Sequence, residues 1–138
     1  MSSINGQCLC GETRFSVQKL EHHHGVCHCA MCRQWGGGGP FFATPVQELT
    51  WAEKKHLKTY ESSEWAQRGF CGNCGSSLFY YQKPTGQYMF SIGAFKDEAG
   101  FKIAGEIFID HKPDGYAFVG DHPRETAAEV IAKFAPPS

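Results

Sequence analysis

The chain has almost no net charge: 13 lysines and arginines stand against 14 aspartates and glutamates, a formal balance of −1. Such a balance offers no electrostatic footprint for nucleic acid or for an anionic membrane, so neither is expected as a partner. Long hydrophobic runs are also missing, and no stretch approaches the roughly 20 apolar residues of a membrane span. The opening segment Met1-Ser2-Ser3-Ile4-Asn5-Gly6-Gln7 lacks the basic start and apolar run of a signal peptide. A cytoplasmic protein is therefore expected, in a compartment that keeps thiols reduced. No internal repeat and no linker divides the 138 residues, so a single domain over 1–138 is expected. The run Gly36-Gly37-Gly38-Gly39 is not followed by the lysine and serine or threonine of a phosphate-binding loop, which discounts nucleotide binding.

Cysteine, by contrast, is abundant and patterned. Seven cysteines fall as Cys8-x-Cys10, Cys27-x-Cys29-x-x-Cys32 and Cys71-x-x-Cys74. Under reducing conditions this spacing reads as metal ligation rather than disulfides. In extended backbone alternate side chains share a face, so Cys8 and Cys10 can point together, as can Cys27 and Cys29. His28 then points the other way, unless a bulge intervenes. Cys71-Gly72-Asn73-Cys74-Gly75 is a tight turn resembling half of a zinc ribbon, with glycines that let backbone N–H groups approach sulfur. It needs a second pair to complete a tetrahedron. Cys8 and Cys10 are available, which leaves Cys27, Cys29 and Cys32 as a three-point chelate. The expectation is two Zn²⁺ per chain, one closed and structural, one with an open coordination position.

Competing readings stand beside each assignment. Cys8, Cys10, Cys71 and Cys74 could be reduced cysteines packed in a core. The second zinc could be closed by His22, His23, His24 or His28 and be purely structural. A thioredoxin-like role is disfavoured, because neither C-x-x-C lies at a strand-to-helix turn of a βαβ pattern.

The rest of the chain reads as strands and turns. Glu12–Gln18, Leu57–Tyr60 and Tyr88–Ile92 alternate in polarity, while Ser77–Tyr81 and Ala104–Ile109 are richer in aromatic and β-branched residues. Turn signals come at Lys83-Pro84-Thr85-Gly86, Ala99-Gly100 and Pro113-Asp114-Gly115. One short C-terminal helix is expected over Pro123–Phe134, started by Asp121 or His122 and ended by Pro136, with Ala127, Val130, Ile131 and Phe134 as its apolar stripe.

Three blocks, Gln7-Cys8-Leu9-Cys10-Gly11, Cys27-His28-Cys29-Ala30-Met31-Cys32-Arg33 and Phe70-Cys71-Gly72-Asn73-Cys74-Gly75-Ser76-Ser77-Leu78, resemble the signature of the glutathione-dependent formaldehyde-activating enzyme family, which includes centromere protein V. The resemblance covers Gly6 to about Tyr116. It implies a mainly β zinc fold of several short antiparallel strands, the β-tent. It also implies a structural zinc on Cys8, Cys10, Cys71 and Cys74, and a zinc associated with activity on Cys27, Cys29 and Cys32. The activity it implies is that of a carbon–sulfur lyase, joining glutathione and formaldehyde, or a related small aldehyde, into S-hydroxymethylglutathione. A shared fold does not by itself choose a substrate.

Coordination number separates the chemistry of the two sites. Four thiolates around Zn²⁺ saturate the shell and crosslink the chain; three leave one position for water or an incoming thiol. Soft thiolate is a natural fourth ligand, and glutathione is the expected small-molecule partner. Arg33 and Lys112 are the candidate cations for its carboxylates, against the alternative that both are solvated surface charges. The glycine run either keeps the open face accessible or is a plain spacer. His23 or His24 could relay a proton, or simply lie on a polar strand edge. Where the family often has lysine, proline and then an aromatic, this chain reads Lys112-Pro113-Asp114-Gly115-Tyr116, with Gly115 near the aromatic position. That substitution points to a different thiol, a bulkier carbonyl, or lost activity. The rival reading of the whole chain is a non-catalytic two-zinc module that presents a surface to a protein partner. Oligomeric state is left open, since Trp35, Trp51 and Trp65 suit a core or an interface equally.

Overall fold

The computed structural model describes residues 4–96 and 100–134, apart from the side chains of Lys19 and Phe134. The expected break at Ala99, the helix stop at Pro136 and the place of Phe134 in the apolar stripe lie outside what is described. The described strands are β1 (Ile4–Gln7), β2 (Arg14–Lys19), β3 (His23–Cys27), β4 (Phe41–Glu53), β5 (Leu57–Ser63), β6 (Ala66–Cys71), β7 (Ser77–Gln82), β8 (Gln87–Ser91), β9 (Lys102–Ile107) and β10 (Arg124–Glu125). Two helices, α1 (Ala30–Trp35) and α2 (Ala127–Phe134), and short 3₁₀ turns at Ile92–Ala94 and Ile109–His111 accompany them. The fold is mainly β, as expected. It forms two compact units, one drawn from Met1–His22 with Ala43–Phe101, the other from His23–Phe42 with Lys102–Ser138.

In the first unit every pairing is antiparallel: β1 with β2, β2 with β4, β4 with β8, β8 with β7, β7 with β6 and β6 with β5. Alternation along β2 buries Phe15 and Val17 while Arg14 and Gln18 face out, as a pleated strand requires. Phe15 packs at ring-centroid distances of 4.4 Å from Phe90, 5.5 Å from Phe95 and 5.8 Å from Trp51. Leu78, Phe79, Val46, Cys8 and Cys71 complete this core. Trp51 is thus a core-edge residue, whereas Trp65 is exposed. Gly69 lies opposite Phe79 in the β6–β7 register, and a Cβ at Gly69 would meet that ring at 2.2 Å. Gly69→Ala should therefore lower stability by about 1–3 kcal/mol through overpacking, read as a fall in thermal midpoint with unchanged metal content.

The second unit contains parallel pairs. β3 runs with β9 and β9 with β10, in a register that sets Val26 against Glu106 and Cys27 against Ile107. The antiparallel strands that the family resemblance implies describe the first unit, and the second adds parallel pairs. Parallel partners need a long crossover and leave no turn signature between them.

Several boundaries differ from the sequence expectation. The C-terminal helix begins at Ala127, not Pro123. Arg124 and Glu125 pair with β9, and the Pro123 carbonyl accepts from the Glu106 N–H at 2.9 Å. Thr126 caps the helix instead of Asp121 or His122: its hydroxyl accepts from the Glu129 N–H at 3.2 Å, while the Glu129 carboxylate accepts from the Thr126 N–H at 2.9 Å. Val130 is buried and Ile131 exposed, so the apolar stripe is narrower than expected. α1 has no counterpart among the expected elements. At six residues it is too short for an apolar period to register. The late strand stops at Ile107, because Phe108 adopts a left-handed conformation with φ of 55°.

Candidate metal centres

Cys8 and Cys10 do not lie in a strand but in the turn after β1. The turn is closed by the Cys8 N–H to the Thr13 carbonyl at 3.0 Å and the Gly11 N–H to the Cys8 carbonyl at 3.2 Å. Cys71 ends β6, and Cys74 closes the tight turn that follows it. The four Sγ atoms converge, with Cys8 to Cys10 at 3.6 Å and Cys10 to Cys71 at 3.9 Å. Zinc–sulfur bonds of about 2.3 Å in a tetrahedron set sulfurs about 3.8 Å apart, so the cluster has the dimensions of a filled tetrathiolate shell. Cys8 and Cys71 are buried within the aromatic core, Cys10 is exposed and Cys74 half-buried. Ser76 ties the two halves together: its hydroxyl accepts from the Leu9 N–H at 3.0 Å and lies 3.2 Å from the Cys74 sulfur.

Hydrogen bonds around this turn favour thiolate. Burial pushes the Cys74 thiol up, but bonds from Ser76 and Cys10 outweigh it and bring it down to about 5. Burial likewise raises Cys71, and bonds from Thr13, Cys74 and Asn73 pull it below its ordinary value. The N–H groups reaching the Cys71 sulfur are thus those of Cys74 and Asn73. The flanking glycines serve carbonyls instead: the Gly72 N–H donates to His56 at 2.6 Å and the Gly75 N–H to Cys71 at 2.7 Å.

The second cluster gathers the Sγ atoms of Cys27, Cys29 and Cys32 within 4.8 Å of one another. Cys27 closes β3, Cys29 caps α1 with extended backbone (φ −62°, ψ 158°) and Cys32 lies buried one turn into the helix. The Cys29 sulfur accepts from the Cys32 N–H at 3.4 Å. Neighbouring Cys29 and Cys32 sulfurs push the Cys27 thiol strongly up, since three anions cannot crowd together without a cation. Among the described residues no histidine or carboxylate joins this cluster.

His28 is turned away and engaged. Nε2 donates to Glu106 Oε1 at 2.7 Å, and Nδ1 lies 2.9 Å from the Tyr116 hydroxyl. The other carboxylate oxygen of Glu106 accepts from His122 Nε2 at 2.5 Å and Arg124 Nε at 3.0 Å. Both His28 and Glu106 are essentially inaccessible to solvent. Burial raises the Glu106 carboxyl, but the bonds from His122 and His28 and the Arg124 charge prevail and hold it below the usual carboxylate range. Sequence reasoning missed this network, although a glutamate inside the apolar run Ala104-Gly105-Glu106-Ile107 is a signal for it.

The other expected residues find definite places. Arg33 donates from Nε to the His28 carbonyl at 2.9 Å. Lys112 donates to the carbonyls of Pro113 at 2.9 Å and Tyr116 at 2.5 Å, and its ammonium sits 5.3 Å from the centre of the Tyr116 ring. It thus clamps the turn leading to Tyr116. His24 is buried against Phe42, and the His22 ring lies tilted against Phe101 at 5.3 Å between centroids. The glycine run terminates α1. The Gly36 N–H bonds to Cys32 and the Gly38 N–H to Arg33, around Gly37 with φ of 84°, a conformation that side chains other than glycine rarely adopt. No aromatic stands at Gly115, and Tyr116, one residue on, supplies the ring beside His28 at 5.5 Å between centroids.

Fold and sites together define a mainly β protein with two thiol clusters able to hold metal ions. Residues 3–111 match the family of the glutathione-dependent formaldehyde-activating enzyme, and the chain belongs to it. A relative in Schizosaccharomyces pombe, described as an uncharacterized lyase, is 32% identical over 133 residues, which span 95% of this chain and 96% of that protein. A crystal structure of a Rhodobacter sphaeroides protein shares the fold with a TM-score of 0.57 at 18% identity, covering 88% of this chain and 99% of that one. Among the described residues no helix is long and apolar enough to cross a membrane.

Proposed function

We propose that the chain is a zinc-dependent carbon–sulfur lyase of the S-(hydroxymethyl)glutathione synthase type, acting on glutathione and formaldehyde or a related small aldehyde. The observation that carries this reading is the cluster of Cys27, Cys29 and Cys32, which no histidine, carboxylate or further cysteine among the described residues joins. Family membership and the lyase name of the yeast relative support the same class. Cys8, Cys10, Cys71 and Cys74 would hold a structural zinc, and Cys27, Cys29 and Cys32 a second one. Zinc on three thiolates supplies a Lewis-acidic position that keeps an incoming thiol deprotonated near neutral pH.

The residues around the second cluster then bind and orient. Arg33, adjacent to Cys32, meets a glutathione carboxylate. Lys112 acts with it, chiefly by holding the turn that presents Tyr116. The thiolate sulfur bonds to the carbonyl carbon as the C=O π bond breaks, and the oxygen takes from water a proton equivalent to the one the thiol released on binding, with proximity supplying much of the acceleration. In reverse the same site cleaves the hemithioacetal. Reduced thiols suit a cytosolic setting.

Cobalt-substituted protein titrated with glutathione should gain thiolate-to-metal absorption at millimolar glutathione or below. The same preparation should form S-hydroxymethylglutathione faster than the uncatalysed reaction. A silent spectrum with a background rate would instead favour the non-catalytic two-zinc module.

A further inference from the structure

We infer that Glu106 is a positioning residue for the three-cysteine cluster: its buried carboxylate, acting through the His28 ring, sets the backbone that carries Cys27 and Cys29. The inference rests on the metal-holding reading of that cluster given above.

His28 is the residue between two ligands, and each of its polar groups is tied. Its N–H donates to the Ile107 carbonyl at 3.1 Å, its carbonyl accepts from Arg33 Nε at 2.9 Å, and its ring nitrogens meet Glu106 and Tyr116. A residue held by its N–H, its carbonyl and both ring nitrogens cannot rotate freely, so the directions of the flanking Cys27 and Cys29 side chains are constrained. Glu106 is placed for this by register, since its Cα stands opposite Val26, two residues before His28.

The same carboxylate also governs the segment that lies against His28. Arg124, which donates from Nε to Glu106, donates from Nη2 to the carbonyls of Phe118 at 2.9 Å and Gly120 at 3.0 Å. Phe118 and Tyr116 stack on the His28 ring at 6.1 and 5.5 Å. One buried anion thus joins the cysteine-bearing strand end to the aromatic segment beside it. Buried charge is costly, and an apolar residue on β9 would serve packing alone at least as well. Partners of this kind around metal ligands commonly tune affinity ten- to a hundredfold.

The test uses the full chain loaded with cobalt or zinc, with competition against a chelator to resolve the two sites. In Glu106→Gln the three-cysteine site should lose about ten- to a hundredfold in metal affinity and change its cobalt absorption, while the four-cysteine site keeps its metal. Unchanged affinity and spectrum at the three-cysteine site would overturn the proposal, as would parallel weakening of both sites in the folded variant. If Glu106→Gln does not fold, His28→Gln decides, because it leaves Glu106 with His122 and Arg124. Selective weakening of the three-cysteine site supports the proposal, and equal affinities in variant and parent overturn it. A parent chain that binds a single metal would defeat the two-zinc reading and this inference with it. A parent that binds two beside an unaltered variant defeats this inference alone.

Discussion

Cys74→Ser is expected to abolish the native fold. The four sulfurs at residues 8, 10, 71 and 74 already have tetrathiolate dimensions, and a structural zinc contributes on the order of 10 kcal/mol. That figure is comparable to the whole stability of a small domain, about 5–15 kcal/mol. The substitution acts on the core as well, because Cys8 and Cys71 pack among Phe15, Leu78 and Phe79. Without the shell their sulfurs would remain buried with no cation to compensate them. Cys74 is also the thiol that its neighbours hold down to about 5, so it is ionised and ready to bind at neutral pH. A serine hydroxyl remains neutral there and offers no such ligand. Circular dichroism should show lost β structure, and metal analysis should show the four-cysteine zinc gone. A variant melting within a few degrees of the parent would end the structural-zinc assignment.

Cys32→Ser should give the opposite pattern, with the fold kept and the activity lost. Its sulfur is buried in the second unit, but the three-cysteine cluster links only β3 to the adjoining α1 and closes no long-range loop. Metal content should fall from about two per chain to about one, with a thermal midpoint close to the parent's. Formation of S-hydroxymethylglutathione should drop to the uncatalysed rate, and the glutathione-induced cobalt spectrum should disappear. A variant that retains both metals would show that another group completes the shell, and the open-site mechanism would fail.

The contrast between these two variants follows from how far apart their ligands lie in the chain. Cys8 and Cys74 are brought together across 66 positions of sequence, so the ion they share would staple non-local structure. Cys27, Cys29 and Cys32 are local, and a local chelate can exist largely for its chemistry.

Both clusters are legible in the amino-acid sequence. Cysteine spacing, the need of the Cys71-x-x-Cys74 turn for a second pair and the family resemblance partition seven residues into sets of four and three, because thiol ligation demands short, patterned separations and tertiary context does not alter those separations. Polarity alternation finds the cores of β2, β5 and β8, and aromatic and β-branched content finds those of β7 and β9. Short-range rules fail where partners are distant in sequence. The start of α2 moves to Ala127 because β9, some twenty residues earlier, claims Arg124 and Glu125 as a parallel strand. Lys112 reads in the sequence as a cation for a glutathione carboxylate or a solvated surface charge, whereas in the fold the turn carbonyls of Pro113 and Tyr116 collect its ammonium.

The sequence by itself determined that two sulfur clusters exist, which residues form them, and that a mainly β chain carries them. Strand alternation already turns His28 away from its cysteine neighbours; tertiary structure decided what the ring meets there. It is drawn to Glu106, a residue 78 positions on. No spacing rule reaches that far, because the pull comes from a buried carboxylate that must collect donors from whichever strands the fold lays beside it.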